Sequence, residues 1–186
     1  LSTDVYAGLD LATHLSGWSI GTGEAHPEVG HWGWQDFGDD LGQLVDAFDR
    51  DFNTTILPRR VTELGYEGPL LRVYQRGKKM RINPHGFMRK VDAVIGHLQW
   101  LCFRHGIPWT EYDPKDVKRA LAGFSGADKK DQVAAARKIG LSLCEGPAQD
   151  DEADSFGVWL ALLRDKDRRL GERWDRLLYG RRGALL

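Results

Sequence analysis

Strand-like and helix-like apolar patterns follow one another along this 186-residue chain in an order that few folds accept. Three strand-like runs come first, Val5–Leu11, Gly17–Gly23 and Glu28–Phe37, with Gly and Pro between them. Their short connections predict an antiparallel meander. Each later strand is reached through a helix. Leu41, Leu44, Val45 and Phe48 fall at helical spacing within Asp39–Phe52, and a fourth strand follows over Arg60–Glu67, closed by Gly68-Pro69. Asn83-Pro84 opens a long helix with Phe87, Val91, Val94, Leu98 and Leu101 on one side, stopped at Gly106. Ile107–Tyr112 is the fifth strand, where Pro108 suits an early position or a sheet edge. Helices are predicted from Asp113-Pro114 through Leu121, over Ala127–Ile139 and over Asp151–Leu163, with an Arg-rich helical tail from Arg164. The expected fold is α/β, a mixed five-stranded sheet with helices on its faces. No internal repeat or low-complexity linker interrupts it, so 1–186 is expected to form one domain.

Cys102 and Cys144 make no CxxC pair, so neither a disulfide framework nor a cysteine zinc site is expected, and a reducing cytoplasm is. The opening LSTDVYAGLDLAT lacks the basic start and apolar stretch of a secretory leader. It begins with Leu rather than Met, as a segment of a longer chain does. No apolar run approaches the roughly 18 residues that span a bilayer, so no membrane partner is expected.

Charge is segregated. Residues 1–71 hold 12 acids and 3 bases, and residues 72–186 hold 15 acids and 23 bases. Arg72, Arg76, Lys78, Lys79, Arg81, Arg89 and Lys90 crowd one stretch that has no acid. Such a surface suits a polyanion, and an ordinary solvated loop has the same composition.

Four carboxylates stand where chain geometry can gather them. Asp10 lies near the end of the first strand, Glu67 closes the fourth, and Asp151 and Asp154 project from one side of a helix start. If strands one and four are neighbours and the last helix packs across their ends, all four meet. Clustered carboxylates repel unless cations neutralise them. An oxygen-only donor set selects hard ions, and two such ions roughly 4 Å apart suit phosphodiester hydrolysis. Taken singly, each acid also has an ordinary use in a turn or at a helix N-terminus.

The segments GLDLATHLSGWSIGTG, GYEGPLL, YDPKDVKRALAGFSGADKKDQV and DDEADSFGVWLAL, in this order, resemble RuvC-type Holliday-junction resolvases of the ribonuclease-H-like fold. The third is the most specific, and together they reach from Leu9 to about Leu163. The resemblance implies a ribonuclease-H-like sheet and a structure-selective endodeoxyribonuclease that cuts a four-way DNA junction as a homodimer. It implies magnesium (Mg2+, with Mn2+ as a substitute), two ions per site, and products with 5'-phosphate and 3'-hydroxyl ends. Asp10, Glu67, Asp151 and Asp154 match the family's acids. Lys118 is similar to its basic residue near the scissile phosphate. Lys129 matches a lysine with either a DNA-backbone role or a capping or ion-pair role. Leu70 stands where some relatives place a stacking aromatic, and leucine wedges rather than stacks.

Arg76, Lys78, Lys79, Arg81, Arg89 and Lys90 are the expected phosphate contacts, giving salt-dependent affinity with little sequence reading. The segment about 69–82 reads as a basic insertion and about 164–186 as an extension. The long helix from Pro84 is the expected dimer element, with packing inside the monomer as its competing use. Trp32 and Trp34 alternate on one strand and read as packing residues rather than a base-stacking surface. His97 and His105 read as capping or solvated, while His14 is near enough to Asp10 to touch phosphate. A sugar-kinase or actin-like ATPase shares the first loop but needs about twice this length. A nuclease for other branched DNA or for RNA–DNA hybrids, and a non-catalytic junction-binding module, stay open.

Overall fold

The computed structural model describes residues 4–34, 37, 40–69 and 85–180. Strands β1 (Tyr6–Asp10), β2 (Leu15–Gly21) and β3 (Glu28–Gly33) form an antiparallel meander. Helix α1 (Leu41–Thr55) leads to β4 (Glu63–Glu67), parallel to β1, and helix α2 (His85–His105) leads to β5 (Trp109–Tyr112), parallel to β4. The sheet order is β3-β2-β1-β4-β5, which puts Pro108 just outside an edge strand. Helices α3 (Pro114–Ala122), α4 (Lys129–Lys138), α5 (Ala148–Lys166) and α6 (Arg168–Tyr179) complete the chain. The mixed sheet read from the sequence is therefore the sheet observed.

Local chemistry sets the helix boundaries. Asp40 and Asp113 accept backbone N–H bonds at the starts of α1 and α3, and Gly123 ends α3 in the left-handed conformation. Asp128 and Asp131 form a reciprocal capping box on α4. Two boundaries differ from the sequence reading. The third strand stops at Gly33 instead of Phe37, because the chain leaves the sheet there to start α1. The last core helix starts at Ala148, three residues before Asp151, behind Pro147.

Period-two alternation divides the core. Ala7, Leu9, Leu64 and Tyr66 face α1 and α2, packing with Phe48, Phe52, Val94, Leu98 and Leu101. Tyr6 faces α5 and α6, among Phe156, Trp159, Leu160 and Trp174. Each of the buried Leu, Val and Phe side chains contributes roughly 1.5–3 kcal/mol. Val91, Val94, Leu98 and Leu101 are all buried within the chain. The apolar stripe expected to serve a dimer therefore packs within the chain, where α2 joins α1 in covering one face of the sheet.

The tryptophans pack, as read. Trp32 Nε1 donates to Thr55 Oγ1 at 3.1 Å and Trp34 Nε1 to Asp51 Oδ2 at 2.6 Å, tying β3 and its exit to α1. His97 neither caps nor simply solvates its helix. Its Nε2 lies 3.0 Å from Asp49 Oδ1 and links α2 to α1. His105 is exposed.

Helix α5 lies directly on the sheet because two glycines admit it. A methyl group on Gly8 would overlap the backbone of Ser155 and Trp159, and one on Gly17 would overlap the Asp151 carbonyl. A single Gly17→Ala change would push the first turns of α5 off β2. Among the described residues no helix is long and apolar enough to cross a membrane.

Candidate metal centre at the sheet edge

β1 and β4 are parallel neighbours, so Asp10 and Glu67, their last residues, end at the same edge of the sheet. Strand alternation puts both on the α5 face. Gly8 and Gly65, two positions earlier on each strand, meet α5. Asp151 and Asp154 come down from the first turns of that helix, three residues apart.

The four carboxylates feel one another. Asp10 is raised well above the usual carboxylate range by burial first and then by the charges of Asp154, Glu67 and Asp151. Glu67 is pushed up to about 8, chiefly by burial and then by Asp154. Asp154 reaches about 6 through burial, with Asp151 adding to the shift and Lys129 and Lys118 opposing it. Asp151 is raised by burial, and Lys129 and His31 pull it back. Two lysines thus border the cluster. Lys118, half-buried on α3, acts on Glu67 and Asp154. Lys129, exposed at the start of α4, acts on all four acids and lies 3.5 Å from Asp150 Oδ2. Asp128, not Lys129, is the cap of α4, so of the ordinary roles for Lys129 the ion pair is the one present.

Four carboxylates held up first by burial and then by neighbouring negative charge form an oxygen donor set that two bordering lysines only partly neutralise. Hard divalent cations fit that chemistry. Arg89 is exposed and Lys90 half-buried on the first turns of α2. Leu70, Arg76, Lys78, Lys79 and Arg81 lie outside the described residues.

A second group escaped the sequence reading. His31 Nδ1 sits 2.8 Å from Glu152 Oε1, and the Cys144 backbone N–H donates to Glu152 Oε2 at 2.7 Å. Burial and the neighbouring Glu152 push the Cys144 thiol up to about 11. His31 pairs with Gly17, which pairs with Asp10, so His31 lies two strands from Asp10 along one row of the sheet, while Glu152 follows Asp151 on α5. No spacing announces it, because its members belong to β3, a loop and α5.

An antiparallel three-strand meander, two crossover-linked parallel strands and acids at the ends of β1 and β4 beneath a helix define the ribonuclease-H-like α/β fold. Thermus thermophilus RuvC in complex with a Holliday junction substrate has the same fold. Its TM-score is 0.62 at 18% identity, over 92% of this chain and 96% of that one. A family model described as crossover junction endodeoxyribonuclease RuvC matches residues 80–162. The Thermotoga petrophila crossover junction endodeoxyribonuclease RuvC is 40% identical over 124 residues, covering 58% of this chain and 74% of that protein. The chain belongs to the RuvC family. The match to Brevibacillus brevis RuvC is shorter, 45% identical over 53 residues and 28% of this chain, and the chain spans only 31% of that relative's length.

Proposed function

We propose that this chain is a metal-dependent endodeoxyribonuclease, one domain of a homodimer that resolves Holliday junctions by cutting paired strands. The observation that carries the reading is the meeting of Asp10, Glu67, Asp151 and Asp154 in one partly buried cluster on a RuvC-family fold. These four would hold two magnesium ions, with manganese as a substitute. When bound, such ions supply Lewis acidity, making a water easier to deprotonate and stabilising the leaving 3' oxygen.

The chain's own residues do the rest. Asp10 and Glu67, anchored at adjacent strand ends, hold their oxygens fixed relative to the sheet. Asp151 and Asp154 approach from α5, so the strand to be cut lies across the carboxylates that the strand ends and the helix bring together. Lys118 offsets negative charge beside Glu67 and Asp154 and is placed to pair with the scissile phosphate. Lys129 offsets negative charge on all four acids and contacts the DNA backbone. Arg76, Lys78, Lys79, Arg81, Arg89 and Lys90 contact phosphates along the arms, and Leu70 wedges at the junction. Two-fold pairing gives one acidic cluster to each of two symmetry-related strands. The products carry 5'-phosphate and 3'-hydroxyl ends, and the work takes place in the cytoplasm.

The decisive test is a cleavage panel with magnesium on a four-way junction, a fork, a linear duplex, an RNA–DNA hybrid and a single strand. Paired cuts in the junction and little cutting of the duplex support the proposal. Cutting of the hybrid alone overturns the choice of substrate, and no cutting of any substrate overturns the activity.

A further inference from the structure

His31 brings a nitrogen, Cys144 a sulfur and Glu152 a carboxylate oxygen to one place, all within 4.8 Å of one another. We propose that these three side chains form a second cation site, suited to a thiophilic divalent ion such as zinc and distinct from the all-oxygen cluster. The donor chemistry separates the two. Imidazole and thiolate favour zinc or cobalt, whereas magnesium takes oxygen and keeps its waters.

The geometry needs only a small closure. Zinc bonds of about 2.0–2.3 Å put tetrahedral ligand atoms roughly 3–4 Å apart. Glu152 is fixed, with a side chain only 4% exposed, while the His31 side chain is 37% exposed and gives the ion a way in. Cys144 stands in the loop between α4 and α5, free of helix constraints. Charge balances as well. The thiol proton leaves to solvent, His31 binds through Nδ1 as neutral imidazole with its proton on Nε2, and thiolate plus carboxylate neutralise a dication. Water takes the fourth position. The ion then joins β3 and the loop before α5 to the first turns of α5, where Glu152 stands between Asp151 and Asp154. Zinc would therefore steady the helix turn that carries two of the acids.

The experiment is a titration of the full chain, without DNA, with cobalt(II) as the probe. Thiolate-to-cobalt charge-transfer absorption is followed, and zinc then displaces the probe. One equivalent with that band is expected. Cys144→Ser should abolish the band, and His31→Ala should weaken binding by more than the about 10–100-fold that loss of an outer partner costs. Asp10→Asn should leave the band intact, because Asp10 belongs to the other cluster. A folded wild-type chain with no such band, or a band that persists in Cys144→Ser, overturns the site. Glu152→Gln perturbs a buried group, so the two milder variants carry the test. The readout needs no cleavage, so it stands apart from the nuclease proposal.

Discussion

Glu67 and Glu24 are the same side chain in opposite settings. Glu24 receives Arg169 Nη2 on Oε1 and Arg173 Nη1 on Oε2, each at 2.6 Å, and its carboxyl is held below the usual range by those guanidinium groups. It ties the turn after β2 to α6, and Arg164 of α5 makes a similar pair with Asp175 of α6. Glu67 is pushed up to about 8, by burial first and then by the charges of Asp154 and Asp113. Pairing at α6 serves folding. Burying mutually repelling carboxylates at the strand ends works against folding and makes sense when a cation completes the site. Strain of this kind concentrates where function requires it.

The largest effect expected is from Asp10→Asn. Loss of a cation-holding carboxylate removes several kcal/mol of transition-state stabilisation, about 10³-fold in cleavage rate. The same change should raise the melting temperature of the metal-free chain, because it deletes a buried, repelled charge. A fall in melting temperature would erase the contrast with Glu24.

Next comes the pH dependence of stability without divalent ions. Glu67 titrates at about 8 in the fold and near 4.5 ordinarily, so between those values the native state holds a proton that the unfolded chain lacks. Stability therefore falls as pH rises from about 4.5 to 8, and Asp154 adds to the fall between 3.8 and about 6. Denaturant titrations should show a loss on the order of a few kcal/mol, largely restored by magnesium. Stability that climbs across this window would break the comparison.

Lys129→Met should act more gently. It removes a cation that lowers all four carboxylates, so the pH of half-maximal cleavage should move up by about 0.5–1 unit. An unmoved profile would confine Lys129 to its pair with Asp150. Smallest of all is Glu24→Gln, which should lower the melting temperature slightly and leave cleavage unchanged. A loss of cleavage there would show that the α6 pairs also serve the site.

The acids were legible because each stands at a boundary marked in the sequence. Asp10 precedes a polar turn, Glu67 precedes Gly-Pro, and Asp151 and Asp154 share helical spacing. Their meeting depended on β1 and β4 being neighbours, which the order of hairpins and crossovers favours. The stripe on α2 was ambiguous for a physical reason. An amphipathic face records that something apolar covers it and not whether the cover is its own sheet or another chain. His31, Cys144 and Glu152 were illegible because each is ordinary in its own segment, and His31 lies 121 residues from Glu152.

The glycine at position 17 has one last consequence. With a carbonyl of α5 occupying the place of a side chain on β2, directly across from Asp10, main chain rests on main chain. How near the first turn of α5 comes to the end of β1 is then set by the thickness of two peptide backbones, a hard stop with no adjustable shim. The smallest possible addition at that stop would lift the helix and carry Asp151 away from Asp10.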